Sequence, residues 1–146
     1  MGLNRWNAAN DLVAPEPRDG EEDLRLALEA SGVGTWEIRP ATGEHVLSAR
    51  SRELLGIAGE EAISSQRLLA ALHPDDRERW KDAIAQVLDA ERSGECHLVF
   101  RTAGRAERWL AASGLASFQG LRVVRVTGTL QDITEQKRTE AVGERS

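Results

Sequence analysis

Tyrosine is missing from this 146-residue chain and phenylalanine occurs only twice, so aromatic content is 4% despite four tryptophans. No phenol is available for catalysis or for holding a ligand. There is one cysteine, Cys96. A single thiol excludes an internal disulfide and a cysteine-based zinc site, and it fits a reducing cytoplasm, the expected location. No apolar run approaches the ~20 residues of a membrane span, and the first residues lack a hydrophobic signal segment. Basic charge does not dominate. Lys and Arg total 19 against 24 Asp and Glu, a net charge of -5, which argues against nucleic acid or an anionic membrane as a partner. A P-loop, a glycine-rich dinucleotide turn and a Ser-His-Asp set are all missing, as are internal repeats.

What is present divides into segments. Residues 1–20 carry Pro15, Pro17, Gly20 and few core-forming side chains, so they are expected to be a flexible lead-in. Residues 21–32 read as a flanking helix. Asp19 and Glu22 have capping-box spacing, Leu24, Ala27, Leu28 and Ser31 recur at helical intervals, and Gly32 and Gly34 stop the run. A core follows over 33–133, and a second flanking helix begins over 134–146.

Within the core, Thr35–Arg39 alternates, with Trp36 and Ile38 on one face; Pro40-Ala41-Thr42-Gly43 turns the chain, and Glu44–Leu47 completes a hairpin. Ser48 is placed to cap a short helix over Ala49–Leu55 that Gly56 closes, and Gln66–Leu72 forms another. After His73-Pro74, Asp75 and Glu78 have capping-box spacing. Trp80, Ala83, Ile84, Val87 and Leu88 then make the best helical stripe in the chain, ended by Ser93-Gly94. Three strands close the core. In Glu95–Thr102, Cys96, Leu98 and Phe100 face opposite to His97, Val99 and Arg101. Glu107–Ser117 is the second and Leu121–Gln131 the third, where Val124, Val126, Gly128 and Leu130 share a face. Strands at both ends with helices between them imply an α+β fold, helices packed on one face of an antiparallel sheet. Asp132 and Glu135, again three apart, predict a helix that starts directly off the last strand. Such a layout suits a module that passes a change in its sheet to whatever follows.

Three stretches in this order carry a family resemblance: Gly34-Thr35-Trp36-Glu37, Leu72-His73-Pro74-Asp75-Asp76, and Val126-Thr127-Gly128 through Asp132-Ile133-Thr134-Glu135. They resemble the opening strand, the start of the long helix and the exit of a PAS sensor domain, over roughly residues 24–137. Phe100-Arg101, Gly104 and Arg108-Trp109 resemble the family's central hairpin, with Ala103 where an Asp is usual. The resemblance implies a PAS-like five-stranded antiparallel sheet, a helix-walled cavity and flanking N- and C-terminal helices. It further implies a sensory or protein-interaction module of a signal transduction system, two-component systems included. Its output would pass through Asp132 and Thr134 to the terminal helix and on to a histidine kinase or another signalling effector.

The strand and helix faces nominate a cavity lined by Trp36, Ile38, Leu98, Phe100, Val126 and Leu130 from the sheet, and by Leu55, Leu72, Ile84 and Val87 from the helices. So apolar a wall fits either a small apolar ligand, its identity unknown, or plain core packing. No cofactor is evident. Haem-binding PAS domains take their axial histidine from the long helix, and Asp75–Arg92 contains none. Flavin photosensors of the family carry a reactive cysteine on the short helix, which Gln66–Leu72 lacks, and the yellow-protein chromophore needs a cysteine with tyrosine hydroxyls. Cys96 reads as core, His97 as exposed, and His73 as a capping residue. Asp75, Asp76 and Glu78 suit the positive end of a helix, so no metal site is expected. Arg101, Arg105, Arg108, Arg122 and Arg125 read as a solvated or partner-facing surface. No catalytic residue is expected. Two other readings stay open: a haem- or flavin-bound sensor, and a small acid–base enzyme of a helix-on-sheet fold using His73 and Asp76. Leu24, Ala27 and Leu28 give the 21–32 helix more apolar surface than a solvated helix needs, so a homodimer is expected through it.

Overall fold

Strand β1 (Gly34–Arg39) and strand β2 (Glu44–Leu47) form the expected hairpin. Its turn is closed by Gly43, whose N–H donates to the Arg39 carbonyl at 2.8 Å and whose φ of 77° lies in the left-handed region. These statements come from a computed structural model that describes residues 23–24, 26–28, 30–89 and 94–145. The lead-in over 1–20, the Asp19–Glu22 pair and Ser93 lie outside the described residues. The chain divides into two units, residues 1–31 and 32–146. In the first, the described residues from Asp23 to Ala30 are helical, and Leu24 and Leu26 are 63% and 53% exposed.

In the second unit, helix α1 (Ala49–Leu55) starts where Ser48 Oγ accepts the Ser51 N–H and ends at Gly56 in the left-handed conformation. Helix α2 (Ser65–Ala70) is capped by Ser64 and begins a residue earlier than the sequence suggests. A single 3₁₀ turn (Pro74–Asp76) leads into helix α3 (Arg77–Val87). Here the expected Asp75–Glu78 capping box does not form. His73 Nδ1 accepts the Asp75 N–H at 3.1 Å instead, and Asp75 itself is exposed. Pro74 holds the chain in a tighter turn, so the α-helix begins two residues later than Asp75.

Strands β3 (Glu95–Arg101), β4 (Trp109–Gln119) and β5 (Arg122–Asp132) complete one antiparallel sheet in the order β2-β1-β5-β4-β3. The first and last strands of the chain therefore pair at its centre, Trp36 opposite Gly128 and Ile38 opposite Val126. Strand β4 starts two residues later than expected, because Thr102 and Arg108 close the preceding loop through Thr102 N–H to Arg108 O and Arg108 N–H to Thr102 Oγ1. A bulge interrupts β4 and β5. Ser117 pairs with Arg125 but Phe118 with Val123, which leaves Val124 as the extra residue. This corrects the alternation drawn through Val124. Val123 is buried in its place, and Val124 is half-buried.

The core fills the space between the sheet and α1, α2 and α3. One cluster centres on Leu54, Leu55, Leu72, Trp80, Phe100 and Leu110. A second holds Ile38, Val87, Val123 and Val126, and Trp36 and Ile84 pack against both. Helix α4 (Thr134–Arg145) leaves the end of β5.

Candidate functional site

Between the inner sheet face and the three core helices lies a partly open cavity of about 60 Å³. Of the residues nominated from sequence, Trp36, Ile38, Leu55, Leu72, Ile84, Leu98, Phe100 and Leu130 line it together. Val87 and Val126 do not. Both are buried in the second core cluster, against which the lining residues Trp36 and Ile84 also pack. The structure adds His45, Leu47, Leu68, Trp80, Ala83, Cys96 and Ala112.

Trp36 determines the shape of the floor. Its indole crosses the directly paired Gly114 and Gly128, and a Cβ at either position would overlap the ring. Its Nε1 donates to the Thr129 carbonyl at 2.8 Å. The aromatic edge is thus fixed, and the ring occupies room that two ordinary strand residues would have filled.

His45 is the lining residue that sequence reasoning passed over. It is 3% exposed, and its Nε2 lies 2.8 Å from Ser65 Oγ. Its ring lies 5.6 Å from that of Trp80. Burial lowers its pKa, so the imidazole is neutral at pH 7. Alternation along β2 could have flagged it, since His45 and Leu47 share a face. Cys96 also borders the cavity. Burial raises its thiol pKa, opposed by a hydrogen bond to the Gly114 backbone, so it is a thiol and not a nucleophilic thiolate. His97 is exposed, as expected.

The second region is the junction of β5 with α4. Asp132 Oδ1 accepts from the Thr134 N–H at 2.9 Å and from its hydroxyl at 2.5 Å. The same hydroxyl oxygen accepts the Trp109 N–H at 3.0 Å, and the Ile133 N–H donates to the Trp109 carbonyl at 2.8 Å. Sequence spacing had Asp132 capping through Glu135. The observed contact is to Thr134, because pairing with β4 carries the strand through Asp132 and the helix starts two residues on. Burial draws the Asp132 pKa up, but the Thr134 bonds and the nearby Arg108 and Arg50 hold it below the ordinary range.

Trp109 ties this junction to the start of α3. Arg101 and Lys137 both lie in cation–π range of its ring, at 5.4 and 5.1 Å. Arg101 is held by the buried Asp76, whose Oδ2 accepts the Arg101 N–H at 2.7 Å and Nε at 3.0 Å, and whose Oδ1 accepts Nη2 at 2.8 Å. Arg79 adds a contact at 3.1 Å. Arg101 bonding, with Arg79 behind it, holds the Asp76 carboxyl far below its usual pKa, so it stays ionised. Arg108 is likewise engaged, donating to the Glu53 carbonyl at 3.2 Å. The arginines read from sequence as one surface group therefore divide between the half-buried, bonded Arg101 and Arg108 and the exposed Arg105, Arg122 and Arg125. Among the described residues no cluster of three or more His, Cys, Asp or Glu could hold a metal ion, and no helix is long and apolar enough to cross a membrane.

A five-stranded antiparallel sheet in this order, with a helix-covered cavity and a helix leaving the central strand, is the architecture of a sensory module. The PAS fold family matches residues 44–130, and the chain belongs to that family. It is 37% identical over 132 residues to "Sensor protein FixL" of Bradyrhizobium diazoefficiens, covering 88% of this chain and 26% of that protein. It is 30% identical over 133 residues to the "Non-motile and phage-resistance protein" of Caulobacter vibrioides, covering 84% of this chain and 15% of that protein. The chain thus spans about a quarter or less of these relatives. Among solved structures, a sensory box histidine kinase/response regulator from Burkholderia thailandensis superposes with a TM-score of 0.67 at 25% identity, covering 83% of this chain and 92% of that one. A domain of the putative light and redox sensing histidine kinase of Haloarcula marismortui shares the fold, with a TM-score of 0.62 at 24% identity over 77% of this chain and 99% of that one. The chain is a PAS domain homologous to the sensory domains of such kinases.

Proposed function

We propose that this PAS domain is a sensor that binds a small molecule in the cavity and relays the change through β5 to α4, and from there to a histidine kinase or related signalling effector. The observation that carries this reading is the shared hydroxyl of Thr134. It bonds to Asp132 on β5 and to Trp109 on β4 at once, so neither strand end can move without moving the first turn of α4. The proposed setting is the cytoplasm and the proposed working state a homodimer.

The structure argues against the alternatives on their own chemistry. Haem needs an axial ligand, and α3 carries no histidine. A cavity of about 60 Å³ also falls well short of the roughly 300 Å³ at which sites for cofactors and drug-sized ligands begin, and leaves room only for a much smaller molecule. Flavin meets the same limit, and α2 has no cysteine. For acid–base catalysis, His73 and Asp76 would have to work together. Instead His73 Nδ1 accepts the Asp75 N–H, and Asp76 faces Arg101 and Arg79. The reading is therefore binding and relay, with no catalytic step.

Hydrogen exchange on Thr134→Val tests the relay. We expect faster exchange at amides 133–137 and, through Trp109, at Arg101. Faster exchange confined to 133–137 would show that the junction is a local cap and not a relay. An absorption spectrum of the purified protein without visible bands is expected; haem or flavin bands would restore the cofactor-bound reading.

A further inference from the structure

We propose that the cavity takes a small uncharged molecule bearing one hydroxyl-type group, which the His45 ring recognises through Nδ1. This rests on the reading of the cavity as the sensing site. The wall is almost wholly apolar, and the indole N–H of Trp36 is already committed to the Thr129 carbonyl. His45 differs. Its backbone is fixed on both sides, with its N–H donating to Ile63 O at 2.8 Å and its carbonyl accepting Ile63 N–H at 2.9 Å, while β1 pairs it with Ile38. Its Nε2 is occupied by Ser65 Oγ at 2.8 Å, but its Nδ1 makes no hydrogen bond with any described residue. Nor is Nδ1 among the fully enclosed unpaired polar atoms, of which Arg52 Nη1 is the one found among the described residues. Nδ1 therefore keeps some accessible surface, and since His45 lines the cavity, we assign that surface to the cavity.

The chemistry of the guest follows from that nitrogen. Burial keeps the ring neutral, so a charged guest would meet no counter-charge in an apolar chamber. A neutral imidazole has one donor and one acceptor nitrogen. If the Ser65 hydroxyl donates to Nε2, Nδ1 carries the proton and donates; if Nε2–H donates to Ser65, Nδ1 accepts. A hydroxyl group both donates and accepts, so it satisfies either tautomer. Size sets the rest. About 60 Å³ is several times the roughly 10–15 Å³ that one water needs on the same probe measure, enough for a hydroxyl on a short alkyl body resting on Leu68, Leu72 and Phe100. The geometry points to the class of short alcohols.

The test titrates the full chain with ethanol and, separately, with xenon, following methyl shifts of the lining residues and the ring nitrogens of His45 by NMR. Both guests should shift the lining methyls, and ethanol alone should shift His45 Nδ1. His45→Phe should weaken ethanol about tenfold, the order of one hydrogen bond, and leave xenon binding in place. The ring-nitrogen titration needs no variant, so it decides the matter even if His45→Phe fails to fold. Ethanol binding with unmoved ring nitrogens, or ethanol binding unchanged in His45→Phe, overturns the recognition by His45 while the cavity reading stands. No response to either guest overturns both. A bound water on Nδ1 that ethanol does not displace also overturns the inference.

Discussion

Trp36 and the two glycines beneath it act as one unit. Neither Gly114 nor Gly128 has a positive φ, so backbone freedom does not explain them; the close approach of the indole does. A Cβ at Gly128 would also overlap the Ser113 carbonyl. Gly114→Ala should therefore push the indole off its seat and destabilise by about 1–3 kcal/mol, the usual range for overpacking, with a shift in tryptophan fluorescence. An unchanged denaturation midpoint and spectrum would show that the ring has room to move. Phe100 presents the opposite case. It is 4% exposed and lines the cavity, so Phe100→Ala should cost roughly 3–5 kcal/mol, measured by denaturant titration. Strand alternation made Phe100 legible as an inward residue. It could not show that Trp36 lies flat on a glycine pair, because that contact joins residues far apart in the chain.

Among the elements, α1 matched its sequence signals in full, since Ser48 and Gly56 are local capping devices that need no tertiary partner. The two acidic starts behaved differently. At both, an Asp and a Glu three apart suggested a capping box, and at neither does the box form: Asp132 turns to Thr134, while Asp75 stays exposed and its neighbour Asp76 is the acid drawn into the fold. Asp132 binds Thr134 because the sheet extends through it. Asp132→Ala should lower stability by about 1 kcal/mol, as for other lost caps, and raise exchange at amides 133–137. At the head of α3, Asp76 binds β3. Asp76→Asn should cost about 2–3 kcal/mol through weakened charged hydrogen bonds to Arg101 and Arg79. The pH dependence has a definite sign. The folded-state pKa of Asp76 is depressed, so its contribution is present in full above the unfolded value of about 4 and is lost as pH falls below it. The stability gap between the native chain and Asp76→Asn should be constant from neutral pH to about pH 4 and shrink in stronger acid. A gap that closes between pH 7 and 5 would mean that Asp76 titrates normally.

For the molecule as a whole, we propose a homodimer that forms through the 21–32 segment. Leu24 and Leu26 are exposed, and α4 is too poor in apolar residues for a coiled coil of its own. We expect light scattering to give a dimer for the full chain and a monomer or an aggregating core after deletion of residues 1–32. A stable dimer after that deletion would place the interface on the sheet or on α4.

The α+β class, the order of strands and helices and the inward faces of β1 and β3 were all legible in the sequence, because alternation, helical spacing and capping residues act over a few neighbours. Only the tertiary structure decided the rest. Whether a half-apolar helix residue faces solvent or core depends on its neighbours in space. Arg52, a charged residue on the short helix α1, is 6% exposed, its guanidinium donating to the backbone carbonyls of Leu47 and Glu61. The bulge at Val124 reverses one strand face without any local mark in the sequence. The pairing of β1 with β5 brings Trp36 onto Gly128, far along the chain. His45 gained its place at the cavity from the Ile63 bridge and the Ser65 hydroxyl, contacts made only once the chain between them has folded back.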